Sequence, residues 1–245
     1  MLSSFKKATS RTLFLDYDGT LTPYAGHPED AMPGKELIKT IKRLSHFDNT
    51  SLIIISGRDR RTLEKWFGRL PVSLIAEHGL FIKEQAGHWR LLRPIRKNWK
   101  KKIIPILHLY VGKLPGSFIE EKEYSLVFHY RNCEAALAEL RVKELTDQLV
   151  NFTTNMDVQV LNGNKALELR NAGVEKGVAA LHWLSQKNKK PHFTLSVGDD
   201  VTDEDLFRVM PENAFSIKVG QEPSYAKYNL YNSAEVLDLL NRLGR

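Results

Sequence analysis

The 245-residue sequence predicts an α/β fold: a Rossmann-like parallel-sheet core with an inserted α/β cap domain. Three observations carry this expectation. Short apolar runs that stop in polar residues alternate with amphipathic segments, the pattern of right-handed βαβ units. Between residues 97 and 171 that alternation gives way to antiparallel-type spacing. The composition is also globular, since 42% hydrophobic, 27% charged and 9% aromatic residues exclude a disordered or low-complexity chain.

Thr12-Leu13-Phe14-Leu15 reads as a central strand buried on both faces. A turn-rich stretch leads to a helix with Leu37, Ile41 and Leu44 on one face. Ser51–Ile55 is a second strand, ending at Ser56-Gly57-Arg58, and the next helix sets Leu63, Trp66, Phe67 and Leu70 at i, i+3, i+4 and i+7. Val72–Ala76 forms a third strand before Glu77-His78-Gly79. In the insert, Phe118–Arg131 reads as one long strand, followed by a helix carrying Leu137, Leu140, Leu145 and Leu149. Strands Asp157–Leu161 and Lys165–Arg170 then flank an Asn162-Gly163 hairpin turn. The parallel pattern resumes with a helix from Glu175, strand Phe193–Val197, a helix near Asp203, strand Ala214–Val219 and a last helix capped by Ser233. The domains expected are a core of 1–96 plus 172–245 and a cap of 97–171.

Composition bounds the function classes. Thirty-six Lys and Arg against 29 Asp and Glu give a net charge of +7. A single cysteine, Cys133, excludes an intrachain disulfide and a multi-cysteine metal site. No apolar run reaches the ~20 residues that span a bilayer, and no secretory leader pattern opens the chain. The expectation is a cytoplasmic monomer that binds no membrane. Arg90, Arg93, Arg96, Lys97, Lys100, Lys101 and Lys102 form a cation run that can mark nucleic-acid binding. No helix-turn-helix, zinc pattern or aromatic platform accompanies it, so no nucleic acid is expected, and Trp99 is assigned to helix packing with Ile103 and Ile106.

Chemistry concentrates where apolar runs stop. Asp16-Tyr17-Asp18-Gly19-Thr20 and Gly198-Asp199-Asp200-Val201-Thr202-Asp203 each follow a strand, with Thr202 as the expected cap of the next helix. Open α/β sheets bind ligands outside the carboxyl ends of their strands, so these acids should share one crevice. Two like charges ~4 Å apart cost about 4 kcal/mol at an effective dielectric near 20. A divalent cation removes that cost, and an oxygen-only donor set points to Mg²⁺. A carboxylate beside such an ion can attack phosphorus. Ser56 offers a hydroxyl donor and Lys176, at a helix start, a cation. Phosphoryl transfer fits this set.

These motifs resemble the haloacid dehalogenase-like hydrolases, whose pattern is Asp-x-Asp-Gly-Thr, Ser/Thr, Lys, then Gly-Asp-Asp with a nearby Asp. The resemblance implies that Asp16 is the nucleophile and Asp18 the general acid, then base. It implies phosphate binding by Ser56, Gly57 and Lys176. Magnesium would be held by Asp16, Asp199 and the Asp18 carbonyl, with Asp200 and Asp203 assisting directly or through water. The insert lies after Ser56, with no room for a helical cap between the first two strands. Along nearly the whole chain, LDYDGTLTP, SGR, AEHG, PGSFIEEKEYSLVFHYR, ALELRNAGVEKG and GDDVTDEDLF look like the trehalose-6-phosphate phosphatase family. Asn171 departs from the proline usual there.

By the same resemblance Glu120, Lys122, Arg131 and Glu168 match sugar-gripping positions, with His78 bordering the pocket. Period-two alternation places Glu120 and Lys122 on one strand face, and carboxylate, Lys and Arg side chains make charge-assisted bonds to sugar hydroxyls. The implied reaction is Mg²⁺-dependent hydrolysis of trehalose 6-phosphate, a small-molecule substrate. Its rivals are another sugar phosphate, such as sucrose phosphate or a glucosylglycerol phosphate, and a non-catalytic partner of a synthase.

Overall fold

The computed structural model describes residues 1–186 and 192–244. In chain order its elements are α1 (Leu2–Lys7), β1 (Arg11–Asp16), α2 (Lys35–Ser45), β2 (Thr50–Ile55), α3 (Arg60–Phe67), β3 (Ser73–Ala76), β4 (Phe81–Lys83) and β5 (Arg90–Leu91). They continue as α4 (Lys100–Lys113), β6 (Phe118–Glu121), β7 (Ser125–His129), α5 (Ala135–Thr153), β8 (Gln159–Gly163) and β9 (Ala166–Arg170). The last are α6 (Lys176–Ser185), β10 (Phe193–Gly198), α7 (Val201–Arg208), β11 (Phe215–Val219), β12 (Tyr228–Leu230) and α8 (Ser233–Leu243). Two compact units result, Met1–Leu92 with Glu175–Arg245, and Arg93–Val174.

The first unit is built on an eight-stranded sheet in the order β12-β11-β10-β1-β2-β3-β4-β5. Its six strands from β12 to β3 are parallel, and β4 and β5 add antiparallel at one edge. Neither was expected, because three- and two-residue strands leave almost no periodicity to read. Every residue of β1 is buried, as a central strand between two helix layers requires. On one sheet face Phe14, Ile53, Ile55 and Ile75 pack with Ala179, Ala180, Trp183 and Leu206. Chain connections reverse between β1 and β10, with β2 and β3 on one side and β11 and β12 on the other. In register Leu15 pairs with Val197, and Asp16 with Ile55. Asp16, Ser56 and Asp199 therefore end three adjacent strands at a topological switch point.

The second unit is a four-stranded antiparallel sheet, β6-β7-β9-β8, with α4 and α5 on one face. Leu126, Phe128, Leu167 and Leu169 meet Ile103, Leu107, Leu145 and Leu149 there, and Trp99 joins the same core with Ile106 at its margin. The expected long strand Phe118–Arg131 is two strands. The consecutive charges Glu120-Glu121-Lys122-Glu123 end the ladder, Lys122 N donates to Ser125 O at 3.1 Å, and the Lys100 ammonium donates to the Lys122 carbonyl at 2.5 Å. The β8–β9 hairpin turns at Asn164-Lys165, not at Asn162-Gly163; Lys165 takes the positive φ of 59° and Gly163 pairs with Ala166.

Asn171 has a visible purpose in this unit. Its Oδ1 accepts Trp99 Nε1 at 3.2 Å and its Nδ2 donates to Asp157 O at 3.1 Å, two bonds that a proline cannot form. Arg93 donates to Ala172 O at 3.0 Å, and both residues fall within this compact unit, Arg93–Val174, where the expectation was 97–171. Two helix caps also differ from expectation. Asp200 caps α7 in place of Thr202, and Asn232 caps α8 in place of Ser233, accepting from Ala234 N and Glu235 N at 3.0 and 3.1 Å. In each case the side chain one or two positions upstream is the one that faces the orphan amides.

Candidate active site

Lys176, the first residue of α6, donates from Nζ to Asp16 Oδ1 at 2.7 Å and to Asp203 Oδ1 at 2.8 Å. The three side chains are 3%, 5% and 0% exposed, so these are buried, charge-assisted bonds. Asp203 Oδ2 accepts the amides of Asp199 and Asp200 at 3.2 and 3.1 Å. Together with Asp200 Oδ1, which accepts Val201 N at 2.7 Å, this forms the capping box of α7. Both oxygens of Asp203 thereby accept hydrogen bonds, one from Lys176 and the other from the turn that carries Asp199.

Carboxylate oxygens of Asp16, Asp199 and Asp203 lie within 4.8 Å of one another. Asp199 receives Thr20 Oγ1 on Oδ1 at 3.2 Å and the Tyr24 hydroxyl on Oδ2 at 2.7 Å. Burial, then the Asp199 charge, raise the Tyr24 pKa, so Tyr24 remains a donor. The Lys218 ammonium donates to the Asp199 carbonyl and lies 3.9 Å from Glu204. Gly19 holds a φ of +78°, and a Cβ there would strike the Asp199 carboxylate and the Tyr24 ring.

One ammonium among three carboxylates leaves two negative charges unmatched. Burial, followed by the Asp203 charge, pushes Asp199 up to about 7 and raises Asp16 well above the ordinary carboxylate range. Burial alone would lower Lys176, but the charges of Asp16 and Asp203 outweigh it and hold the ammonium protonated. An oxygen-only set carrying two surplus negative charges fits a divalent cation. For the metal-free protein the sign follows from linkage. Carboxyls raised by folding add stability below their unfolded values near 3.8 and lose it as the pH climbs through about 7. In chelator, the melting temperature should therefore fall from pH 5 to pH 8, and Mg²⁺ should flatten the decline; differential scanning fluorimetry across that range checks both.

The Asp18 carboxylate stands outside this cluster, as does that of Asp200, so neither expected acid joins the three by its side chain. Asp18 is held by Arg58, whose Nε and Nη2 donate to its two oxygens at 2.8 and 2.5 Å. Arg58 also donates to Pro28 O and lies over the Trp66 ring, 5.1 Å from its centroid. As alternation requires, Tyr17 points away, its hydroxyl donating to Ala31 O at 2.6 Å. Ser56 is buried and its Oγ accepts Arg58 N at 3.1 Å, which leaves its own proton to donate. His78, at a positive φ of 55°, lays its ring against Gly57, where a Cβ would collide with it.

In the second unit Glu120, Val127, Glu168 and Leu161 stand opposite one another in register, which puts both glutamates on the sheet face away from α4 and α5. Glu120 bonds His129 Nε2 at 2.8 Å, and Glu168 lies 4.0 Å from Arg170. Lys122 is in the β6–β7 turn, not on the strand with Glu120. Arg131 lies beyond β7 and donates to Asn164 O and Oδ1 at 2.6 and 3.2 Å. The cation run is not a uniform basic face. Arg90, Arg93, Lys97 and Lys100 reach Glu84, Asp157, Glu123 and Glu121.

Sequence reasoning missed Thr20, Tyr24, Arg58, Lys218, His129 and Arg170. Thr20 and Arg58 lie inside quoted motifs and could have been inferred from their acid neighbours. Lys218 was visible as the single charge in its strand, while Tyr24 had no local signal.

Acids at the carboxyl ends of parallel strands and a lysine at the start of α6, with an α/β insert between β5 and α6, place this chain among the haloacid dehalogenase-like folds. Solved haloacid dehalogenase-like structures share it, including one from Bacteroides thetaiotaomicron at 14% identity and a TM-score of 0.66, covering 96% of this chain and 100% of that one. More narrowly, residues 14–234 match the trehalose-phosphatase family model, and the chain belongs to that family. It is 40% identical over 241 residues to a bifunctional trehalose-6-phosphate synthase/phosphatase of Thermoproteus tenax, covering 98% of this chain and 33% of that protein. Against the trehalose-phosphatase of Saccharomyces cerevisiae it is 37% identical, covering 85% and 26%. The C-terminal domain of C. albicans trehalose-6-phosphate phosphatase superposes with a TM-score of 0.94 at 31% identity, covering 99% and 95%. The chain spans about a third of the length of the first relatives it matches. No helix among the described residues is long and apolar enough to cross a membrane.

Proposed function

We propose that this chain is a Mg²⁺-dependent phosphatase that hydrolyses trehalose 6-phosphate to trehalose and phosphate through an aspartyl phosphate on Asp16. The observation that carries the reading is the buried Asp16–Lys176–Asp203 arrangement beside Asp199, at the ends of adjacent parallel strands. Lys176 occupies Asp16 Oδ1 and orients Oδ2 for attack. Asp16 and Asp199, with the Asp18 carbonyl, would hold the cation, which when bound supplies positive charge against the acids and the phosphoryl oxygens.

Asp16 Oδ2 attacks phosphorus, the bond from phosphorus to the sugar oxygen breaks, and Asp18 delivers a proton to that oxygen. In the second half Asp18 takes a proton from water, whose oxygen bonds to phosphorus as the Asp16 carboxylate leaves. Ser56 and Lys176 donate to the phosphoryl group, with Gly57 leaving room beside it, and this charge stabilisation supplies most of the acceleration. Glu120, Lys122, Arg131 and Glu168 carry sugar recognition in this reading, with His78 beside the phosphate donors. The protein is expected to act as a cytoplasmic monomer on a small molecule.

Phosphate release from trehalose 6-phosphate, compared with glucose 6-phosphate and sucrose phosphate, tests the substrate; a strong preference for the first is expected, and equal rates would contradict it. Excess EDTA should silence turnover and Mg²⁺ restore it. Arg58→Lys cannot present two parallel donors to Asp18 and should lower kcat about tenfold with a smaller change in KM. An unchanged kcat in steady-state assays would remove Arg58 from the account.

A further inference from the structure

Many cations of the described surface are matched by acids, as Lys83 is by Glu64, Arg90 by Glu84 and Arg208 by Asp205. Helix α3 departs from this. Arg61, Lys65 and Arg69 recur every fourth residue, all exposed, and among the described residues none of the three has a carboxylate within ion-pair distance. Gly68 keeps a helical φ and ψ of −61° and −17° and donates to Glu64 O at 2.9 Å, so Arg69 continues the row beyond the helix end. The two acids of this segment are already committed. Glu64 accepts Lys83 Nζ at 2.7 and 2.8 Å and Trp89 Nε1 at 2.9 Å, and Asp59 caps the helix through Arg61 N, Thr62 N and the Thr62 hydroxyl. The row lines an open groove of about 690 Å³, with Trp89 also in its wall.

We propose that this groove docks an acidic peptide segment in an extended conformation. Four residues of helix advance about 6 Å, and two residues of an extended chain advance about 6.6 Å. Carboxylates at alternate positions of such a segment therefore fall into step with Arg61, Lys65 and Arg69, while Trp89 offers apolar contact alongside. A nucleic acid fits less well. Unstacked bases need aromatic platforms, and Trp89 is the one aromatic residue in the groove wall, with its N–H already held by Glu64. None of these side chains belongs to the proposed catalytic machinery.

The test is fluorescence anisotropy with a labelled peptide of glutamates alternating with serines, against the full chain and its R61E/K65E/R69E variant. Binding should weaken about tenfold or more in the variant, in line with three surface ion pairs, and should fade as salt screens the charges. Phosphate release should be unchanged, which also shows that the variant is folded; should charge reversal impair folding, R61Q/K65Q/R69Q serves instead. A peptide of the same composition with its glutamates in one block should bind several-fold more weakly. Equal binding to parent and variant, equal binding of the two peptides, or tighter groove-dependent binding of a short RNA than of the alternating peptide would each overturn the proposal.

Discussion

Asp16→Asn is expected to abolish turnover, by at least about 10⁴-fold, in a protein that remains folded. The size follows from the role, since removing the atom that forms the covalent bond leaves only binding and charge stabilisation. The fold should survive because the amide relieves repulsion. Lys176 keeps Asp203 as a partner at 2.8 Å, and one of the two surplus negative charges disappears. The metal-free variant should therefore melt no lower than the parent, while its affinity for Mg²⁺ falls. Steady-state phosphate release, circular dichroism and calorimetric Mg²⁺ titration separate these effects. Substantial turnover by the folded variant would mean that water, not Asp16, attacks phosphorus.

Lys176→Met should bring the largest loss of stability. It leaves Asp16 and Asp203 buried together without their shared cation, and breaking a buried pair in this way costs about 3–5 kcal/mol. Burial raises Asp16 already, so the loss should be greatest at neutral pH and shrink in acid, where protonation removes the repulsion. Mg²⁺ should recover part of the stability but not the activity, since the phosphoryl group loses a donor, about 10³-fold in kcat. Urea denaturation at pH 5 and pH 7.5, with and without Mg²⁺, measures each part. A variant as stable as the parent at neutral pH would show that the Asp16–Lys176–Asp203 arrangement is not the electrostatic centre.

The strands of the first unit were legible because central parallel strands are continuous apolar runs that end abruptly at charge, and β1, β2 and β10 do so at Asp16, Ser56 and Asp199. The second unit was harder. Its strands alternate between a helix-packed face and a face carrying Glu120 and Glu168, so the period-two signal ran through the Lys122–Tyr124 turn without marking it. The helical packing of Trp99, Ile103 and Ile106 was legible beside the cation run, but Lys100 read as surface charge, whereas it is buried against the carbonyls of Lys122 and Glu123. At the site, sequence separates by face but not by partner. Alternation put Asp16 and Asp18 on one side, yet only tertiary structure assigns one to Lys176 and the other to Arg58. Likewise Asp200 and Asp203 read alike in sequence, while only Asp203 brings a carboxylate oxygen within 4.8 Å of those of Asp16 and Asp199, and the capping box of α7 uses both.

The central claim is that phosphorus passes through a covalent bond to Asp16. Asp18→Asn should allow that bond to form slowly and should retard its hydrolysis far more, because the base for water is gone. Incubating this variant with trehalose 6-phosphate and Mg²⁺, quenching in acid and mapping peptides by mass spectrometry should find one phosphoryl group on the peptide of Arg11–Asp18, at Asp16. Trehalose release without any phosphoryl group on Asp16, or with the group on another residue, would contradict the mechanism.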